Sequence, residues 1–117
     1  MSDTNLLPFL NRLDILKETA QQIIKDCGMV GMEIKFSGNA ENAYLELFSQ
    51  ILPLVDKMQK GNFQSFYNLM YRIDISEIQI KKAVQDSKDR SFSEIVADLI
   101  LKRELLKVVF RKQYSAK

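Results

Sequence analysis

The stretch Ser91-Phe-Ser-Glu-Ile-Val-Ala-Asp-Leu-Ile-Leu-Lys-Arg-Glu-Leu-Leu-Lys-Val-Val-Phe-Arg111 predicts a long helix around which the rest of the chain is arranged. Ser91 and Glu94 have the spacing of a capping box, in which each side chain bonds the backbone N–H of the other residue. Apolar residues then recur at steps of three and four and cover more than one face. A helix that is apolar over so much of its circumference is usually central or part of an interface. We predict a central helix from Phe92 to about Arg111.

The preceding sequence predicts four further helices, because apolar seams of helical period alternate with capping residues and glycines. The predicted helices run from near Pro8 to Gly28, from near Asn39 to Gly61, from about Asn62 onward, and from about Ile75 to Gln85. A chain of 117 residues has the length of one domain. We therefore predict one all-α domain over residues 1–117, an irregular five-helix bundle with a short extended segment near 32–36.

The extended segment is predicted from a change of period, since Met32, Ile34 and Phe36 alternate with Glu33 and Lys35. A period of two is typical of a strand, yet no second convincing strand accompanies it. Three arrangements are open: a strap across the helices, a short hairpin within the loop, or a strand that pairs with another chain. We favour the strap. The third would make Met32, Ile34 and Phe36 an interface strand, because an unpaired edge is a template for association.

The composition argues against several common chemistries. The chain has no histidine, which is the usual general base near neutral pH and the commonest metal ligand. Its single cysteine, Cys27, excludes an intrachain disulfide and a cysteine-cluster metal site, and its position on an apolar seam predicts a buried thiol. The four glycines fit neither the P-loop nor the dinucleotide-binding pattern. We predict no catalytic, cofactor-binding or metal-binding residues.

The N-terminal sequence and the hydropathy pattern bear on location. Residues 1–8 lack the basic segment followed by an apolar core that marks a signal peptide. No apolar run approaches the roughly 18–20 residues that span a bilayer. We therefore expect a cytoplasmic protein without membrane insertion.

The densest polar group among apolar residues lies between the third and fourth predicted helices. Asp74 and Glu77 have capping-box spacing, and Arg72 lies just before them. A planar guanidinium can bridge a carboxylate in a bidentate pair. We predict a partly buried ion-pair network that joins this corner to the last helix, and we prefer this structural role to a ligand site. The predicted network is Arg72, Asp74, Glu77, Arg103 and Glu104.

The second half of the last helix is basic. From Asp98 to Lys117 there are six Lys or Arg and two acids, so this segment carries 6 − 2 = +4, whereas the whole chain carries +2. Cations near a helix C-terminus offset the macrodipole, which is the interpretation that we prefer. The alternative is a patch for nucleic acid or anionic lipid. That patch comprises Lys102, Arg103, Lys107, Arg111 and Lys112.

A helix-turn-helix DNA reader is a weaker alternative for the segment that joins the third and fourth helices. Its fourth helix would present Gln79, Lys81, Lys82 and Gln85 to DNA. These residue types are equally common on any solvated face, and the net charge of the chain is small.

The stretches Leu69-Met-Tyr-Arg-Ile-Asp-Ile-Ser-Glu77 and Ile100-Leu-Lys-Arg-Glu-Leu-Leu-Lys-Val108 resemble a group of small uncharacterised bacterial proteins. Those proteins pair a YRID corner with an RELxKV helix, and the resemblance covers roughly the C-terminal half of the chain. It implies a compact helical protein of the bacterial cytoplasm, in which the arginines and acids of the two motifs belong together. It implies no activity, cofactor or partner.

Three function classes are compatible with these observations. The leading hypothesis is a non-enzymatic helical module that binds another protein or itself, because the last helix has a surplus of apolar residues and the strand-like segment is unpaired. The second is a nucleic-acid or anionic-surface binder that uses the basic C-terminal helix, which requires steep salt dependence. The third is an enzyme that relies on carboxylates or arginine, which requires a cleft with convergent acids of shifted pKa.

Overall fold

The fold was analysed in a computed structural model that describes residues 12–115. That part of the chain contains five helices and no β-strand. The helices are α1 (Leu13–Gly28), α2 (Ala43–Gly61), α3 (Phe63–Ile73), α4 (Glu77–Asp86) and α5 (Phe92–Ser115). The predicted all-α five-helix architecture is confirmed. No helix within the described range is long and apolar enough to cross a bilayer.

Helix α5 is central, as its sequence pattern predicts. It contacts each of the other four helices, and its 24 residues extend about 36 Å at the usual helical rise. The main core lies where α5 meets α1, α2 and α3, and includes Val96 and Ile100. A smaller cluster joins the second half of α5 to the start of α1 through Ile15, Leu105 and Val108. The hydroxyl and carboxylate of Ser91 and Glu94 form the predicted capping box at its N-terminus.

One helix start differs from the predicted position. Helix α2 begins at Ala43, four residues after Asn39, because the Asn39 side chain accepts a hydrogen bond from the Glu41 amide at 3.0 Å. An asparagine that bonds its own downstream backbone forms a turn that competes with a helix. The predicted start of the first helix near Pro8 lies outside the described residues.

The turn between α3 and α4 also corrects the prediction. The capping box of α4 consists of Ser76 and Gln79, so the expected pairing of Asp74 with Glu77 is wrong. Asp74 instead ends α3 in the left-handed conformation, at φ 72°, and its N–H bonds the carbonyls of the last turn. Aspartate tolerates this conformation better than most residues other than glycine, which explains why the chain turns here.

Residues 32–36 form the extended strap across the helices, which is the arrangement that the sequence favours. Ile34 is buried in the main core, while Met32 and Phe36 pack against its edge. The Gln50 side chain holds the strap to α2, since its oxygen accepts from the Lys35 N–H at 2.9 Å and its nitrogen donates to the Lys35 carbonyl at 2.7 Å. The Gln50 side-chain amide thus satisfies the backbone N–H and C=O of Lys35, which a neighbouring strand would pair in a sheet.

Candidate functional site

A buried acid cluster lies where α1, α3 and α5 meet, and consists of Asp26, Arg72, Glu104 and Lys107. Asp26 is 3% exposed and Glu104 is fully buried. The Arg72 Nε lies 3.1 Å from Asp26 Oδ1. The Lys107 Nζ lies 2.6 Å from Glu104 Oε1 and 3.6 Å from Asp26 Oδ2. Two acids and two cations therefore share one site at the edge of the core.

Helical spacing places the two acids inside the molecule. Glu104 lies four residues after Ile100 and four before Val108, and both of these residues are fully buried. Positions four apart share one helix face, so the Glu104 carboxyl points toward the core. Asp26 likewise lies three residues after the buried Ile23 on α1. The packing of α5 against α1 therefore forces the two carboxyl groups toward the same region.

The environments of the two acids push their pKa values in opposite directions. Burial, followed by the hydrogen bond to Asp26, raises the pKa of Glu104 to about 8. Burial alone would raise the pKa of Asp26 as well, but hydrogen bonds from Glu104 and Gln22 and the charges of Lys107 and Arg72 lower it. The Lys107 Nζ lies against Glu104 Oε1, yet ionisation of both acids would place two negative charges together in the core. The raised pKa therefore favours the protonated form of Glu104 at neutral pH, and in that form its carboxyl can share the proton with Asp26.

A cleft of about 550 Å³ opens beside this cluster between α1, α3 and α5. Its size is in the usual range for small-ligand sites. Arg72 and Lys107 of the acid cluster line it, together with the exposed Lys25. The other polar and aromatic lining includes Gln22, Asn68 and Tyr71.

The predicted five-residue network is divided in the structure. Arg103 pairs with Asp74, whose side chain is 81% exposed, at 2.8 Å. Arg72 pairs with Asp26 on α1, and not with Asp74 or Glu104. Glu104 pairs with Lys107, and Glu77 has no ion pair with a described residue. The corner is therefore joined to α5 by the exposed Arg103–Asp74 pair.

The five residues of the predicted basic patch each lie near an acid. Lys102 is 2.8 Å from Asp98, and Arg111 is 4.0 Å from Glu18. Lys112 also pairs with Glu18 and lies 3.7 Å from Asp14. Arg103 and Lys107 have the partners described above. The α5 cations thus neutralise acids of neighbouring elements, so the patch is not a continuous field of unpaired positive charge.

An aromatic stripe follows the outer face of α3 and consists of Phe63, Tyr67 and Tyr71. The three side chains are 60%, 56% and 90% exposed. Their spacing of four residues places them along one line of the helix. The Phe63 and Tyr67 rings lie 6.4 Å apart, and Tyr71 reaches the rim of the cleft. Phe66 and Met70 of the same helix are buried, so the stripe lies on a face of α3 that is separate from its packed face.

Sequence reasoning missed the central residue of the acid cluster. Asp26 was not singled out, although it lies beside Cys27 on the seam of α1 and is in phase with Ile23. That position was a usable signal of burial. The Cys27 thiol is buried, as predicted, and burial followed by the charges of Glu104 and Asp26 raises its pKa to about 12.

A second polar contact, which the sequence pattern does not predict, joins α2 to α5. The Tyr44 hydroxyl donates to the Asp98 carboxylate. Asp98 also lies 2.8 Å from Lys102 one turn later on α5. Burial, then the bonded Asp98, raises the pKa of Tyr44.

Two observations complete the description of the site. No group of three or more Asp, Glu or Cys side chains among residues 12–115 is arranged to hold a metal ion. Comparison with protein-family models, curated proteins and solved structures gives no match to the chain.

Proposed function

We propose that the protein is a non-enzymatic interaction module, and that the aromatic stripe of α3 packs against the same stripe of a second copy. The observation that carries this proposal is the alignment of Phe63, Tyr67 and Tyr71, three largely exposed aromatic side chains, on one line of a surface helix. Tyrosine and phenylalanine are enriched in protein interfaces, and tyrosine in particular among the residues that dominate binding energy.

The charge pattern of α3 supports an interface. The helix Phe63–Ile73 contains one charged residue, Arg72, and no acid. Charged residues are depleted at the centres of interfaces, whereas surface helices usually carry many. Beside the stripe lie two uncharged amides, Gln64 and Asn68, which bond each other at 2.9 Å. A face with so little charge brings little like-charge repulsion when two copies meet.

The spacing of the stripe suits a two-fold axis. If two α3 helices cross antiparallel at Tyr67, each Phe63 meets the Tyr71 of the other copy, so the face is self-complementary. A fully buried aromatic side chain covers roughly 150–250 Å². The exposed fractions of the three stripe residues therefore leave roughly 400 Å² per copy that a second copy can cover. Two copies together would bury less than the roughly 1,200 Å² of a standard stable interface. The expected dimer is therefore weak and depends on concentration.

A polyanion-binding function is less well supported. Its cations, Lys102, Arg103, Lys107, Arg111 and Lys112, have acidic neighbours within 4.0 Å. A protein that binds a polyanion releases counterions from it through cations that contact its phosphates, and paired cations must first leave their partners.

The setting that we propose is the bacterial cytoplasm, in line with the resemblance of the YRID and RELxKV segments. The buried and unpaired thiol of Cys27 is compatible with a reducing compartment.

Sedimentation velocity over a wide concentration range tests the self-association. We expect the average mass of the native protein to rise with concentration, and Tyr67→Ala to suppress this rise, because Tyr67 lies at the two-fold axis and its loss affects both copies. Leu45→Ala is the matched control, since Leu45 is an equally exposed apolar residue on α2. A native protein that remains monomeric at millimolar concentration, or a control that loses association as strongly as Tyr67→Ala, would overturn the proposal.

A further inference from the structure

We infer that the cleft between α1, α3 and α5 is a binding site for the phosphate group of a small ligand, held by the terminal nitrogens of Arg72 and by Lys25, with the charge of Lys107 nearby. This inference rests on the cleft and its charges and not on the proposed self-association, although Tyr71 belongs both to the aromatic stripe and to the cleft lining.

The geometry of Arg72 is that of an anchored anion receptor. Its Nε bonds the buried Asp26 carboxylate at 3.1 Å, which fixes the plane of the guanidinium. No described residue accepts a hydrogen bond from its two terminal nitrogens, and Arg72 lines the cleft. An arginine fork held in this way presents paired donors that match the oxygens of phosphate.

The charges around the cleft leave an excess of positive charge. Arg72, Lys107 and Lys25 carry three positive charges, and Asp26 carries one negative charge, so the balance is 3 − 1 = +2 while Glu104 is protonated. Lys25 has no ion pair with a described residue. A phosphate monoester carries about −1.5 to −2 charges at neutral pH, so it complements this balance better than a monocarboxylate.

The walls of the cleft define the rest of the ligand. Met29 and Val30 supply apolar surface to the lining, and Tyr71 supplies an aromatic side chain. A volume of about 550 Å³ exceeds what a bare phosphate fills. The ligand class that fits is therefore a small organic phosphate with an apolar or aromatic body.

Glu104 couples this site to pH. The charged and titratable groups around it are Asp26 and Cys27 on α1, Arg72 on α3, and Lys107 with the neighbouring Arg103 on α5. Ionisation of Glu104 reduces the positive balance by one charge. Anion affinity is therefore expected to fall as the pH rises through about 8. By linkage, a bound anion favours the protonated form of Glu104.

The test is a titration of the full-length protein with inorganic phosphate, followed by backbone amide shifts in NMR spectra at constant ionic strength. We expect saturable shifts centred on Asp26, Arg72 and Lys107, with an affinity in the millimolar range for the bare ion. Arg72→Gln should weaken binding about tenfold or more, because it removes a charged donor pair. Lys25→Gln, which removes an exposed and unpaired side chain, should weaken binding severalfold without affecting the fold.

The control variant is Lys81→Gln, which removes the same charge from an exposed α4 lysine that does not line the cleft. A pH arm uses sulfate, which is doubly charged at every pH used. Between pH 7 and 9 sulfate affinity should fall in the native protein and stay constant in Glu104→Gln. The inference is overturned if no saturable shift occurs at tens of millimolar phosphate, if Lys81→Gln weakens binding as much as Lys25→Gln, or if the sulfate affinities of native and Glu104→Gln change in parallel.

Discussion

The carboxyl group of Glu104 is a weaker acid in the folded protein than a glutamate side chain is in water. Its carboxyl lies in the core beside Asp26, and its pKa rises from an ordinary 4.5 to about 8. Burial disfavours a charged carboxylate, and a neighbouring carboxylate disfavours it further. The neutral form of Glu104 is therefore favoured, while Arg72 and Lys107 offset the negative charge of Asp26. This arrangement makes the stability of the whole protein sensitive to pH.

The first prediction concerns Glu104→Gln. Between pH 5 and 8 the folded protein holds a proton on Glu104 and the unfolded chain does not, so the free energy of unfolding decreases as pH rises. This contribution is complete below about pH 4.5 and is lost as the pH rises through about 8. Titration of Glu104 alone lowers the free energy of unfolding by at most about 1.4 kcal/mol per pH unit. Glutamine cannot ionise and still donates to Asp26, so the variant should become more stable than the native protein with rising pH.

Urea unfolding at a series of pH values between 5 and 9 measures this difference. Glu33→Gln is the control, because Glu33 is exposed and has no ion pair with a described residue. It should follow the native curve. If the stabilities of native protein and Glu104→Gln keep a constant difference across this range, Glu104 does not titrate near pH 8.

A second prediction compares two isosteric changes, Asp26→Asn and Asp74→Asn. Asp26 is buried and balances two cations, so loss of its charge should cost about 1–3 kcal/mol. Asp74 is largely exposed and pairs only with Arg103, so its loss should cost about 0–1 kcal/mol. Asparagine tolerates the left-handed conformation at position 74, so Asp74→Asn adds no backbone strain to the measured cost. Chemical denaturation at pH 6 measures both, and equal costs would contradict the different burial of the two pairs.

At the scale of elements, the strap over residues 32–36 shows how a strand-like sequence is used without a sheet. Its apolar residues face the helices, and Gln50 bonds both backbone groups of Lys35. The Ser37 amide and hydroxyl donate to the Glu46 carboxylate at 2.8 Å, one helical turn before Gln50. A buried or half-buried backbone must find hydrogen-bond partners, and here α2 side chains supply them.

The third prediction concerns Gln50→Ala, which removes the two hydrogen bonds between the Gln50 side chain and the Lys35 backbone. We expect a loss of about 1–2 kcal/mol, because each net hydrogen bond contributes about 0.5–1.5 kcal/mol. Hydrogen exchange of the Lys35 amide should accelerate more than that of amides in α5. Gln85→Ala, a change at an exposed α4 position, should leave Lys35 exchange unaltered. Unchanged exchange at Lys35 in Gln50→Ala would show that other contacts hold the strap.

At the scale of the molecule, α5 makes the bundle one cooperative unit because all four other helices contact it. The core that it shares with α1, α2 and α3 includes fully buried Val96 and Ile100. A second cluster extends along α5 to α1, so the N-terminal and C-terminal ends of the described chain pack together. A single unfolding transition is expected of a small domain with this organisation.

The fourth prediction tests this organisation with Ile100→Ala. Large-to-small changes in a core cost about 2–5 kcal/mol, because they remove burial and leave a cavity. The loss should appear as an earlier single transition by both circular dichroism and tyrosine fluorescence. Leu45→Ala at an exposed position should change stability by less than about 0.5 kcal/mol. Separate transitions for the two probes would indicate that the helices do not unfold together.

Much of this architecture was predictable from local pattern. The apolar circumference of α5 and the capping box of Ser91 and Glu94 both predicted what the structure contains. The capping box of α4 was displaced by two residues, because Asp74 could serve either as a cap or as a left-handed terminus. The partner of Arg72 was not predictable, since Asp26 lies 46 residues away in the chain.

The sequence by itself determined the helical class, the central position of α5, the extended conformation of residues 32–36 and the burial of Cys27. These features depend on the spacing of apolar residues and on caps, which act within a few residues of each other. Only the tertiary structure decided that Asp26 and Glu104 face each other, that Arg72 and Lys107 border a cleft, and that α3 turns its aromatic residues outward. Such pairings depend on how helices pack in space, and residues distant in sequence carry no local signal of one another.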